Sequence, residues 1–135
     1  MNSILIVDGD KEYREFLVDF FKKREFDAVC CANYEQAWTL AAGKIFDIAV
    51  IDYFIGGQNG GALCEALTNR DHGATALIIT SDTQSNAIEL SIRQHSPAFF
   101  FVKPFIVDNL YAVALKILEA RDKKKLRTRN MASVC

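Results

Sequence analysis

The sequence predicts an α/β domain built as (βα)5, a doubly wound parallel sheet of five strands with helices on both sides. Three observations carry that expectation. Five short runs, at 4–7, 28–31, 48–51, 76–79 and 99–102, are rich in β-branched, aromatic or small apolar residues and largely continuous rather than alternating. Strands buried on both faces of a parallel sheet read this way. Amphipathic stretches separate the runs, so strand and helix patterns alternate along the chain. Finally, 135 residues with 50% hydrophobic and 24% charged content suffice for one ordinary core and exclude a wholly disordered chain.

Taken in order, the first run, Ile4-Leu5-Ile6-Val7, leads to a helix on which Tyr13, Phe16, Leu17, Phe20 and Phe21 recur at helical spacing. Asp10 stands where its N-cap belongs. After the second run, Tyr34, Ala37, Trp38 and Ala41 mark the next helix, with Asn33 as cap and Gly43 as stop. The third run precedes a glycine-rich stretch holding four of the seven glycines between 56 and 61, which suggests a loose loop, and then a helix over 61–70 with Gly73 beyond it. The fourth helix, over 84–94, shows the weakest face, with Ile88 and Ile92 four apart. Leu110, Val113, Ala114, Ile117 and Leu118 define the fifth. The expected division is one domain over 1–120 and a basic helix end and tail over 121–135.

Charge is unevenly spread. Residues 121–129 hold six basic side chains against Asp122 alone, which leaves 10 basic and 16 acidic residues elsewhere. The acidic body argues against nucleic-acid binding by this domain, and the tail reads as a solvated helix end that could contact an anionic partner. No apolar run approaches the ~18 residues of a membrane span. The opening Met-Asn-Ser and four apolar residues do not read as a secretory signal, so a cytoplasmic protein is expected. Cys30, Cys31, Cys64 and Cys135 show no Cys-x-x-Cys spacing and read as small buried hydrophobes. His72 and His95 have no partner at ligand or triad spacing and read as surface residues.

In an open α/β sheet, ligands bind beyond the carboxyl ends of the strands. There the sequence places Asp8, with Asp10 two further on, then Asp52, then Thr80 and Ser81, then Lys103 before Pro104. Two carboxylates at one edge favour a divalent cation such as Mg²⁺. A nearby ammonium and hydroxyl complement phosphate oxygens. Together they suit phosphoryl transfer to a carboxylate.

The segments Ile4-Leu5-Ile6-Val7-Asp8, Asp47-Ile48-Ala49-Val50-Ile51-Asp52 with Gly60 eight residues on, Ile78-Ile79-Thr80-Ser81 and Val102-Lys103-Pro104-Phe105 carry a resemblance to the receiver domain of two-component response regulators, over residues 3 to about 120. The resemblance implies a flavodoxin-like strand order 2-1-3-4-5 and a phosphorylated signalling domain rather than an enzyme. Asp52 is then the phosphoacceptor, Asp8 a metal-site acid and the backbone carbonyl of Phe54 the third protein ligand of Mg²⁺. Thr80 bonds the phosphoryl group, Lys103 pairs with its charge, Phe100 is the switch aromatic, and the Lys103–Pro104 peptide falls where the family often has a cis bond. Implied partners are a histidine kinase or phosphotransfer protein, and a downstream protein on the face of the fourth helix, fifth strand and fifth helix. A homodimer is a further option.

The sequence also departs from the family. Gly9 replaces the usual second acid, which predicts weak Mg²⁺ binding with Asp10 as candidate substitute, and Ile55-Gly56 replaces the usual Met-Pro pair. An alternative is therefore a degenerate receiver that takes no phosphate and serves as a constitutive interaction module. A remote one is a haloacid dehalogenase-like phosphatase, whose first motif Asp8-Gly9-Asp10 imitates. That reading leaves Asp52 unexplained.

Overall fold

A computed structural model describes residues 1–69, 75–83 and 85–134. His72, Gly73, Gln84 and Cys135 lie outside the described residues. The elements follow in the order β1 (Ser3–Val7), α1 (Lys11–Lys22), β2 (Asp27–Cys31), α2 (Tyr34–Gly43), β3 (Ile48–Asp52), β4 (Phe54–Ile55), β5 (Gln58–Asn59), α3 (Gly61–Thr68), β6 (Ala76–Ser81), α4 (Asn86–Arg93), β7 (Phe99–Val102) and α5 (Val107–Val134). The chain divides into two compact units, Met1–Pro104 and the segment from Phe105 onward.

The first unit is built on a parallel sheet in the order β2-β1-β3-β6-β7, the expected 2-1-3-4-5 when only the sheet strands are counted. Every residue of β1 and β3 is buried, which is why these segments read as unbroken apolar runs. Side-chain alternation splits the burial between two faces. Leu5, Val7, Ala49, Ile51, Leu77 and Ile79 share one cluster with Ala37 and Ala41 of α2, Leu63, Cys64 and Leu67 of α3, and Ile92 of α4. Ile4, Ile6, Ile48, Val50 and Ile78 are buried outside that cluster, as are Leu17, Phe20 and Phe21 of α1. Cys31 and Cys64 are buried and Cys30 half-buried, all as free thiols.

The helix starts follow the caps. Asp10 accepts from the Tyr13 N–H at 3.2 Å, Asn33 from Gln36 at 2.9 Å, and Ser85 from Ile88 at 3.2 Å. The Ser85 cap explains why α4 begins at Asn86. Helix α3 ends at Thr68, short of the expected 70, because Asn69 leaves helical geometry as its C-cap. Trp38, counted in the α2 stripe, is half exposed, and the two alanines beside it carry the burial.

The glycine-rich stretch is not a loose loop. Phe54 pairs with Asn59 and Ile55 with Gln58 in a two-strand antiparallel hairpin whose central residues, Gly56 and Gly57, have φ of 58° and 78°. Two positive φ angles in a two-residue connection are what a type I′ turn requires, and glycine meets that demand without strain. The Lys103–Pro104 peptide is cis.

The second unit is α5, one continuous helix of 28 residues. It carries the expected apolar stripe in its first turns and continues helical through the basic segment, where Lys123, Lys124, Lys125, Arg127 and Arg129 are exposed. Among the described residues no helix is long and apolar enough to cross a membrane.

Removing the cap of α1 should be felt in stability. Asp10→Ala is expected to cost about 1 kcal/mol, seen as a lower denaturation midpoint in urea at unchanged slope.

Candidate functional site

Parallel strands in register bring their carboxyl ends to one edge, and the chemistry predicted from sequence gathers there. Asp8 follows β1, Asp52 ends β3, Thr80 lies opposite Asp52 on β6, and Lys103 follows β7. Asp8 is 3% exposed and Asp52 7%. The Lys103 Nζ donates to Asp8 Oδ2 at 2.8 Å and to Asp52 Oδ2 at 3.4 Å, so one ammonium bridges both carboxylates. It also lies 5.1 Å from the centre of the Tyr13 ring.

The electrostatics follow from burial. Desolvation, opposed by Lys103 and reinforced by the neighbouring Asp8 charge, pushes the Asp52 carboxyl up to about 6. Burial works against the charge of Lys103 as well, but the two carboxylates together outweigh it and hold its pKa above the ordinary value. The cation is therefore fixed, and Asp52 is the strained partner.

The backbone at Asp52 is held from two sides. The buried Tyr34 hydroxyl donates to the Asp52 carbonyl at 2.7 Å, and the Tyr53 N–H donates to the Thr80 carbonyl at 2.9 Å. Burial and the Asp52 charge push the Tyr34 hydroxyl up, which keeps it a donor. Gly60 makes room for that ring: a Cβ there meets Tyr34 Cε1 and Ile51 Cγ2 at 3.2 Å. Neither Tyr34 nor Tyr53 stands out in sequence, since a bond to a backbone carbonyl leaves no mark on the residue that accepts it.

Two buried oxygens, Asp52 Oδ1 and Thr80 Oγ1, make no hydrogen bond among the described residues. Such orphans are costly and point to groups the protein alone does not supply. Hard carboxylate oxygens with one uncommitted position fit a cation of the Mg²⁺ type, which keeps several waters. A free hydroxyl one strand away fits a phosphoryl oxygen.

The other predicted residues fall as follows. Phe54 lies in β4, two residues past Asp52, with its ring half exposed. Phe100 pairs with Ile79 in the sheet and packs, partly buried, against the core. Ser81 is buried and turned to Thr83, accepting from its N–H at 3.1 Å. The structure does not gather Asp10 with the other two acids. Its carboxylate caps α1, its N–H donates to Asp8 Oδ1 at 2.8 Å, and among the described residues no three His, Cys, Asp or Glu side chains form a metal cage. Gly9 does not have a positive φ, and a Cβ there meets only Ile55 Cγ2 at 3.4 Å, so no backbone demand excludes an acid at that position. His95 is not a simple surface residue: it is half-buried, with Nε2 3.3 Å from the Tyr53 hydroxyl.

Known proteins share the fold. The sequence profile of the response regulator receiver domain matches residues 4–115. A response regulator receiver protein of Anaeromyxobacter is 28% identical over 94 residues, covering 70% of this chain and 40% of that protein. The DNA-binding response regulator MtrA of Mycolicibacterium paratuberculosis is 25% identical over 131 residues, 97% of this chain and 57% of MtrA. The chain thus spans about half the length of these curated relatives. Among solved structures, a two-component response regulator from Clostridium difficile superposes with a TM-score of 0.80 at 21% identity, covering 88% of this chain and 97% of that one. The response regulator TrrA of Thermotoga maritima, solved in complex with Mg²⁺ and BeF, gives 0.74 at 21% identity, covering 87% and 99%.

The raised Asp52 pKa predicts a pH-dependent penalty in the metal-free protein. An acid whose pKa is higher folded than unfolded loses stability as pH rises from its unfolded to its folded pKa. Asp52→Asn should therefore be about 1–2 kcal/mol more stable than wild type above pH ~6, with the gain shrinking between pH 6 and 4. Thermal melts across that range check it.

Proposed function

This chain belongs to the response regulator receiver domain family, and from that membership we propose that it accepts a phosphoryl group on Asp52 from a histidine kinase or phosphotransfer protein. The single observation that supports this most is the buried Asp52 Oδ1, without a partner in a site where Lys103 already holds the other oxygen. That oxygen is the nucleophile. It attacks phosphorus in line, the bond to the donor's leaving group breaks, and an acyl phosphate remains on Asp52.

The residues of this chain position the rest. Lys103 moves its bond from the Asp52 carboxylate to a phosphoryl oxygen while keeping Asp8. The free Thr80 hydroxyl donates to a second oxygen. Asp8, Asp52 and the Phe54 carbonyl would hold Mg²⁺, which when bound would neutralise negative charge at the site. Gly9 leaves this set one acid short of the family pattern, and Asp10 replaces that acid only by abandoning the cap of α1.

Output follows from packing. Thr80 moving toward the phosphoryl group vacates space beside Phe100, which is partly buried next to it on β7, and the α4–β7 surface changes with it. Leu90, 65% exposed on α4, and the half-exposed Phe99 supply apolar contact area there for a downstream protein.

Incubation with a small phosphodonor and Mg²⁺ should add one base-labile phosphoryl group by intact mass, and Asp52→Asn should abolish it. Labelling that persists in the mutant places the acceptor elsewhere. No labelling of wild type favours the constitutive interaction module.

The missing acid predicts weak Mg²⁺ binding. Gly9→Asp, for which the backbone leaves room, is expected to tighten Mg²⁺ about tenfold, ~1.4 kcal/mol. Amide shifts in NMR titrations of the two proteins measure it, and equal affinities would show that position 9 does not matter.

A further inference from the structure

Tyr53 follows Asp52 directly, just past the end of β3, and its side chain packs into the core cluster. The side chain is 2% exposed, and its ring lies edge-on to Phe54 with centroids 5.0 Å apart. Its hydroxyl is 2.8 Å from Ser91 Oγ and 3.3 Å from His95 Nε2. Those two side chains stand four residues apart, Ser91 in the last turn of α4 and His95 in the turn just beyond its end. One phenol thus touches both the last turn of α4 and the residue that follows the helix cap.

Helix α4 has little else to hold it. Ile92 is its one buried residue, and Ile88 adds a partly buried contact with the core. Buried directional bonds therefore form a large share of its docking, because a buried hydroxyl without partners is expensive. At its backbone, Tyr53 is tied to the strand that carries the phosphoryl-sensing hydroxyl: its N–H donates to the Thr80 carbonyl at 2.9 Å, and its carbonyl accepts from Gly60 at 2.9 Å.

We propose that Tyr53 is a tether by which the state of Asp52 sets the docking of α4, its hydroxyl holding Ser91 and His95 in the unphosphorylated protein and releasing them when Thr80 moves. The proposal rests on Asp52 being the acceptor. It adds a second output route beside Phe100, which carries no hydroxyl. A displacement at Thr80 reaches α4 through the Tyr53 peptide and its ring, with no change in volume required.

Hydrogen exchange resolved by segment tests this in wild type and in Tyr53→Phe, which keeps the ring and removes only the hydroxyl. In the unphosphorylated state, α4 amides of the variant should exchange about fivefold or more faster, with β1, β3 and β6 unchanged. Phosphorylation should speed α4 exchange in wild type by a similar factor and add little in the variant. Ser91→Ala removes the nearer partner from the helix side and should repeat the result, which keeps the test decisive if Tyr53→Phe folds poorly. Unphosphorylated α4 exchange within twofold of wild type in both variants overturns the tether. Labelled proteins with the same α4 response in wild type and variant overturn the coupling alone. A wild type that takes no phosphoryl group overturns the acceptor reading, and the coupling with it.

Discussion

Two carboxylates buried side by side are tolerable only with a cation between them. That constraint organises the first unit. Asp8 and Asp52 sit at the ends of adjacent strands, almost out of solvent, and the Lys103 ammonium reaches both from the end of β7. Strand order and register follow from the need to deliver these three groups to one edge: β1 and β3 adjacent, β7 two places away, and Thr80 opposite Asp52. A one-residue slip in β3 turns the Asp52 carboxylate into the apolar core, at far greater cost than any single packing defect. The apolar runs on either face hold the register. The ion pair explains why that register, and no other, leaves the charges compensated.

Compensation is incomplete, and there the site acquires its chemistry. Lys103 satisfies one oxygen of each acid, an Asp10 N–H satisfies the other oxygen of Asp8, and Asp52 Oδ1 is left over. Its carboxyl is accordingly raised while its backbone is pinned by Tyr34 on one side and Thr80 on the other. A rigid backbone with an under-satisfied side chain is the arrangement a nucleophile requires: orientation is set in advance, and the attacking atom gives up no strong bond. Gly60 and the Gly56-Gly57 turn serve the same end, the first by admitting the Tyr34 ring and the second by folding the chain back soon after Asp52.

Much of this was legible in the sequence, and the reasons are physical. Continuous apolar runs report strands buried on both faces, so five strands and their order of appearance could be read directly. Polar residues at the ends of those runs reported the site, because parallel strands must present their carboxyl ends together. The rest was hidden for equally definite reasons. A two-residue hairpin is too short to show periodicity, so Gly56 and Gly57 read as looseness when their positive φ makes a tight turn. Asp10 carried two readings, cap and ligand, and the structure gives it the cap. The Tyr34 contact joins a side chain to a main-chain oxygen 18 positions away. His95 looked solitary because its partner, Tyr53, lies 42 positions upstream on another element.

The two routes out of the site differ in the kind of discrimination they offer. In the proposed switch Phe100 responds to volume: its ring packs against the core, and moving it exchanges one set of dispersion contacts for another, each worth little and gained gradually. Tyr53 responds to direction. A buried hydroxyl is either within bonding distance of Ser91 and His95 or it is not, and intermediate positions carry the full cost of desolvation. With α4 held by buried Ile92, partly buried Ile88 and one such hydroxyl, losing the hydroxyl's bonds removes a large share of its docking at once. Gradual repacking beside Thr80 can then produce an all-or-none change at α4. The residue positioned to make that conversion is Tyr53, joined by a single peptide bond to Asp52, the proposed acceptor.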